Sequence, residues 1–93
     1  MREIERTTQF RRDYRRESRG RHRATLDASL TALLLPLMRD EVLAERFRDH
    51  PLSVEWAGFR DCHVKPDLVL IYEKPDDATL RLVRLGSHSE LGW

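Results

Sequence analysis

The run Leu68-Val69-Leu70-Ile71-Tyr72, bounded by Asp67 and Glu73, constrains this chain more than any other stretch. Five apolar residues without polar alternation predict a central strand covered on both faces, so the fold needs a layer on each side of it. Lys74-Pro75-Asp76-Asp77 reads as a turn. Leu80-Arg81-Leu82-Val83-Arg84-Leu85 returns as a second strand, and Phe59 to Val64 alternates as a third. Consecutive hairpins of this kind give a mostly antiparallel sheet.

The N-terminal half has a helical rhythm instead. Arg2 to Arg6 is a short strand candidate around Ile4. Thr7 or Thr8 can cap a following helix. On it Phe10 and Tyr14, four apart, share one face, with arginines around the rest. Ser18-Arg19-Gly20 ends that helix. A second helix starts between His22 and Thr25, with Leu26, Leu30, Leu33 and Leu34 as its core stripe. Pro36 disfavours helical geometry at Leu35, so the helix is expected to end or kink there. Asp40 is read as capping a short turn, with Val42, Leu43 and Phe47 packing inward. The expected fold is therefore α+β: a helical hairpin on a twisted, mainly antiparallel sheet of four to five strands, in one domain over residues 1–93.

Charge narrows the functional classes. The net charge is only +1, yet residues 1–23 hold nine arginines against four acids, a net of +5, while the rest holds eight cations against twelve acids. A basic helical face that includes Arg11, Arg12, Arg15, Arg16 and Arg19 suits nucleic acid or an acidic partner; a solvated helix face is the plain alternative. No apolar run approaches the ~20 residues of a membrane span, and no signal segment is visible, so a cytoplasmic location is expected. The single cysteine, Cys62, excludes an internal disulfide; between Asp61 and His63 it is open to a reactive-thiol reading, with a small core residue of a strand favoured.

Chemistry concentrates in the C-terminal half. His50 precedes Pro51, which imposes an extended or turn geometry. Asp61 and His63 are two apart and so share a strand face. His63 and Asp67 flank Val64-Lys65-Pro66, and His88 follows the last strand. Histidines beside carboxylates exchange protons near neutral pH. RNA carries its own nucleophile, the 2′-hydroxyl, and a protein that cleaves it supplies a base, an acid and a cation for the phosphate. Arg60, Lys65, Arg81 and Arg84 are candidate cations, and Trp56 and Trp93 candidate stacking surfaces, with packing the favoured reading for Trp56. No histidine spacing of a known metal motif occurs, so neither metal nor other cofactor is expected.

Taken together, Phe47-Arg48-Asp49-His50-Pro51-Leu52, then Trp56-Ala57-Gly58-Phe59-Arg60-Asp61-Cys62-His63-Val64-Lys65-Pro66-Asp67, then Arg84-Leu85-Gly86-Ser87-His88-Ser89-Glu90-Leu91 resemble the YafQ branch of the RelE/ParE toxin superfamily. The resemblance is close through the C-terminal half; the N-terminal half matches only in layout. It implies a toxin of a bacterial type II toxin–antitoxin system that cuts mRNA on the ribosome. His50, His63, Asp67 and His88 would be catalytic, with Asp61 nearby and Trp93 in the place of a C-terminal aromatic. It also implies a cognate antitoxin as partner, through which operator DNA would be contacted, with ribosomal RNA gripped by the basic helix. Two rivals share the fold: a gyrase-inhibiting toxin of the ParE branch, which lacks this histidine set, and a decayed domain that only binds antitoxin.

Overall fold

The computed structural model describes residues 1–92. Its elements are β1 (Glu3–Arg6), α1 (Thr8–Glu17), α2 (Leu26–Met38), β2 (His50–Pro51), β3 (Arg60–Lys65), β4 (Leu68–Glu73), β5 (Thr79–Gly86) and α3 (His88–Leu91). The sheet runs β1-β5-β4-β3-β2; β1 is parallel to β5 and every other pair is antiparallel. The expected α+β architecture is present, and β4 is central.

The apolar run divides between two layers. Leu68, Leu70 and Tyr72 join Phe10, Leu26, Leu30, Leu33 and Leu37 beneath the helical hairpin. Val69 and Ile71 pack on the other face with Leu91, Leu52, Trp56, Phe59 and Val83. Each such side chain contributes roughly 1.5–3 kcal/mol by leaving water. The hairpin thus covers one face only; α3 and the 52–59 loop cover part of the other.

Two bulges set which residues face which layer. One falls between His63 and Lys65, leaving Val64 as the extra residue in β3. The second leaves Val83 as the extra residue in β5, because Ile71 pairs with Arg84 and Tyr72 with Leu82. Leu82 and Leu85, three apart, therefore both reach the core under the helices.

Helix α1 is capped by Thr7, whose hydroxyl accepts from the Phe10 amide at 3.0 Å. Of the two expectations for Pro36, an end or a kink, the end is not met: α2 runs through it to Met38. Proline there lacks only the bond to the Ala32 carbonyl, near the helix end, and the buried Leu33 and Leu37 hold the last turn in place. Asp40 follows in the left-handed region at φ 58° rather than starting a new turn. It ties the chain ends of the sheet by ion pairs to Arg2 and Lys74, both at 2.7 Å, which hold its pKa down at about 2. Leu43 packs inward as expected, but Val42 is 97% exposed. No helix among the described residues is long and apolar enough to cross a membrane.

Candidate active site

The site forms on the sheet face opposite the helical hairpin. Cys62 and Val64 point into the core under the helices, so strand alternation sends Asp61 and His63 to the other side. Register then places His50 of β2 directly beside Asp61 of β3. His50 Nε2 lies 3.1 Å from Asp61 Oδ1. The His50 Nδ1 is 2.6 Å from the Arg48 carbonyl oxygen. A carbonyl only accepts, so Nδ1 carries a proton. The other nitrogen faces a carboxylate oxygen, and that contact is favourable only when a further proton sits on the ring or on Asp61.

Asp61 is 3% exposed. Burial raises its pKa, and the nearby His50, His63 and His88 only partly offset this. Its Oδ1 is buried without a hydrogen-bond partner among the described residues, although the His50 nitrogen is close. Such a group holds or releases a proton readily compared with a fully bonded carboxylate.

The third histidine meets the fourth. The His63 and His88 rings are 5.4 Å apart, centroid to centroid, tilted by 58°. Burial lowers the pKa of His63, with Asp61 pulling the other way and His88 and Arg48 adding to the fall. His88 is the first residue of α3, a short helix absent from the expectation although Ser87-x-x-Glu90 is a capping box in plain sight.

Asp67 does not join this group. It occupies the two-residue turn of the β3–β4 hairpin, where its carboxylate pairs with Arg21 and with His22 Nε2 at 3.3 Å. The Val64 bulge lies between His63 and that turn. Arg21 and His22, from the turn between α1 and α2, are partners that sequence reading did not assign.

The cations are also sorted by their partners. Arg84 lies against α1, bonded to Asp13 at 2.7 Å, and not at the histidines. Arg60 is 3.3 Å from Asp49, which also accepts from the Tyr72 hydroxyl at 2.6 Å; the pair braces the residue before His50. Arg81 joins Glu5 and Glu73. Lys65 donates to the Thr25 hydroxyl at 2.7 Å. Arg16, expected on an RNA-binding face, instead bonds Asp13, Glu17, Glu90 and the Leu85 carbonyl. Arg11, Arg12, Arg15 and Arg19 remain exposed on the helical side, across the sheet from the histidines. Sequence reading missed Arg46 and Arg48. They line a groove of about 640 Å³ with Phe47, His63, Lys65 and Pro66, and among the described residues neither forms an ion pair with a carboxylate.

Trp56 packs edge-on against Phe59 at 5.4 Å, within the second core cluster. Cys62 is fully buried, and burial raises its thiol pKa well above the ordinary value, which keeps it unreactive. Trp93 lies outside the described residues. Among those described, no three His, Cys, Asp or Glu side chains converge closely enough to hold a metal ion.

Comparison with known proteins identifies the family. Residues 2–92 match the family described as "Bacterial toxin of type II toxin-antitoxin system, YafQ". The chain is 38% identical to the mRNA interferase toxin YafQ of Escherichia coli (strain B / BL21-DE3), covering 98% of this chain and 96% of that protein. It superposes on the toxin in the E. coli DinJ–YafQ complex with a TM-score of 0.81 at 36% identity, covering 98% of both chains. A metal-bound toxin from Helicobacter pylori gives a TM-score of 0.80 at 38% identity, covering 98% of this chain and 99% of that one. With a match along nearly its whole length and the same fold beneath it, the chain belongs to the YafQ family of toxins of bacterial type II toxin–antitoxin systems.

Proposed function

We propose that this toxin is a ribosome-dependent endoribonuclease that cleaves mRNA by proton transfer among His50, Asp61, His63 and His88. One observation carries the reading: the His50–Asp61 pair and the His63–His88 pair lie on one face of the sheet, open to solvent on the side of His50 and His88. In this reading a proton acceptor takes the 2′-hydroxyl proton, the 2′-oxygen attacks phosphorus, and the 5′-oxygen leaves with a proton delivered by a histidine. His63, whose neutral form burial favours, suits the accepting role. His50, facing the Asp61 carboxylate, and the exposed His88 suit the donating role. Arg46 and Arg48 would hold the phosphates that lead into the groove beside His63. Asp67 braces the β3–β4 turn rather than moving a proton.

The exposed Arg11, Arg12, Arg15 and Arg19 would grip ribosomal RNA from the helical side, leaving the opposite face for the message. Binding on the ribosome would present the scissile phosphate in register, which accounts for a site with so little enclosure. The partner class follows from the E. coli complex of DinJ with YafQ: a cognate antitoxin, through which operator DNA is reached. Action on ribosomes would call for a cytoplasmic location.

The test is induced expression of wild type beside His88→Ala, with primer extension on a reporter message. New 5′ ends inside translated codons, absent with His88→Ala, support the reading. Equal growth arrest by both proteins without cleavage would overturn it and favour a gyrase-type toxin.

A further inference from the structure

His88 is exposed and begins a helix of four residues. An isolated helix of that length does not hold itself together, so the ring's position beside His63 needs another source. The Ser87 hydroxyl accepts from the Glu90 amide at 3.1 Å, and the Ser87 amide donates to Glu90 Oε1 at 2.9 Å. Glu90 Oε2 lies 3.0 Å from Arg16 Nε. Arg16 Nη2 in turn donates to the Leu85 carbonyl at 2.8 Å, and its Nη1 lies 3.0 Å from the fully buried Asp13. A connected path thus runs from a core carboxylate on α1 to the residues on either side of His88. The fit around it is close: a Cβ on Gly86 would stand 2.9 Å from Arg16 Nη2 and 3.3 Å from Glu90 Oε1.

We propose that Arg16 and Glu90 form a clamp that positions His88 against His63, so that both are positioning residues of the reaction. The inference rests on the reading of His88 as a proton-transfer group. The side chains of Arg16 and Glu90 are 41% and 39% exposed, and an ion pair so wet adds little to global stability. Its value is geometric, because misplacing a reacting group by about 1 Å costs about 100-fold in rate. The clamp also accounts for an arginine of the basic helix turned toward the sheet while its neighbours face solvent.

The test compares Glu90→Ala, Glu90→Gln, Ser87→Ala and His88→Ala in full-length toxin, by ring-to-ring NMR contacts and by cleavage on programmed ribosomes. Glu90→Ala should lose the His63–His88 contact and lower kcat by about 30-fold, with KM within about twofold and antitoxin binding intact. Glu90→Gln keeps an oxygen for the Ser87 amide but turns an NH2 group toward Arg16 Nε, so it should weaken the contact and lower kcat by about 10-fold, between wild type and Glu90→Ala. Wild-type contact and rate in Glu90→Ala would overturn the clamp. If Glu90→Ala does not fold, the same two readouts on Ser87→Ala decide, since it removes the other half of the box. Full cleavage by His88→Ala would instead overturn the catalytic reading, and the ring contact would still report on the clamp.

Discussion

Asp13 and Asp61 are the two buried aspartates of this protein, at 0% and 3% exposure among the described residues, and their surroundings are opposite. Asp13, under the helical layer, accepts from Arg84 Nε at 2.7 Å, the Leu85 amide at 3.0 Å, Arg16 Nη1 at 3.0 Å and Gln9 at 3.3 Å. Burial pushes its pKa up, but the bonds from Arg84, Leu85 and Gln9 outweigh that and the net shift is downward. Asp61, on the far face, has one histidine at 3.1 Å and an oxygen without a hydrogen-bond partner among the described residues. There burial prevails and the pKa rises. Equal burial therefore produces a fixed anion in one place and an adjustable proton in the other. The first fastens α1 to β5; the second leaves a local defect in the packing of polar groups.

The comparison breaks if the two carboxylates respond alike to removal. Asp13→Ala should destabilise by about 3–5 kcal/mol, because it strands Arg84 and the Leu85 amide; urea denaturation measures this, and a loss under 1 kcal/mol would show the network to be idle. Asp61→Asn should lower cleavage by roughly 100-fold while changing stability at neutral pH by no more than about 1 kcal/mol, in the stabilising direction, since it removes a buried ionised group. A melting temperature that falls as far as that of Asp13→Ala would make Asp61 structural.

A pH series sharpens the contrast through its sign. The folded pKa of Asp13 is depressed below 3.8, so its contribution is full above that value and is lost as pH falls through the lower folded pKa. The folded pKa of Asp61 is raised above 3.8, so its contribution is full below that value and is lost as pH rises through the folded pKa. Melting curves of Asp13→Asn and Asp61→Asn against wild type should therefore diverge in opposite directions across the acid range. Parallel curves would refute the assignment. The smallest effect concerns the groove. Arg48→Ala should weaken ribosome association slightly and reduce the slope of its salt dependence by about one phosphate contact. An unchanged slope would remove Arg48 from the substrate path.

Much of this was legible in the chain itself. The unbroken Leu68–Tyr72 run announced a central strand, and alternation put Asp61 and His63 on one face. The motif around His50, His63 and His88 pointed to the family before any coordinate. Other features were not legible for definite reasons. A bulge moves one residue out of register without altering composition, so Asp67 looked close to His63 yet reaches Arg21 and His22. Charge counts could not separate Arg16 and Arg84, bonded at Asp13, from Arg11 and Arg12 in solvent. Pro36 looked like a helix end because local steric rules ignore the packing of Leu33 and Leu37 behind it. The Ser87–Glu90 box was readable, but a four-residue helix has no periodicity to reveal it.

The sequence by itself determined four of the five strands, the two long helices and the candidate proton-exchanging residues, because these follow from side-chain periodicity and local chemistry. Tertiary structure alone decided which carboxylate is anchored and which is left able to titrate. That choice depends on groups distant in the chain arriving within about 3 Å, a separation at which a hydrogen bond either forms or does not.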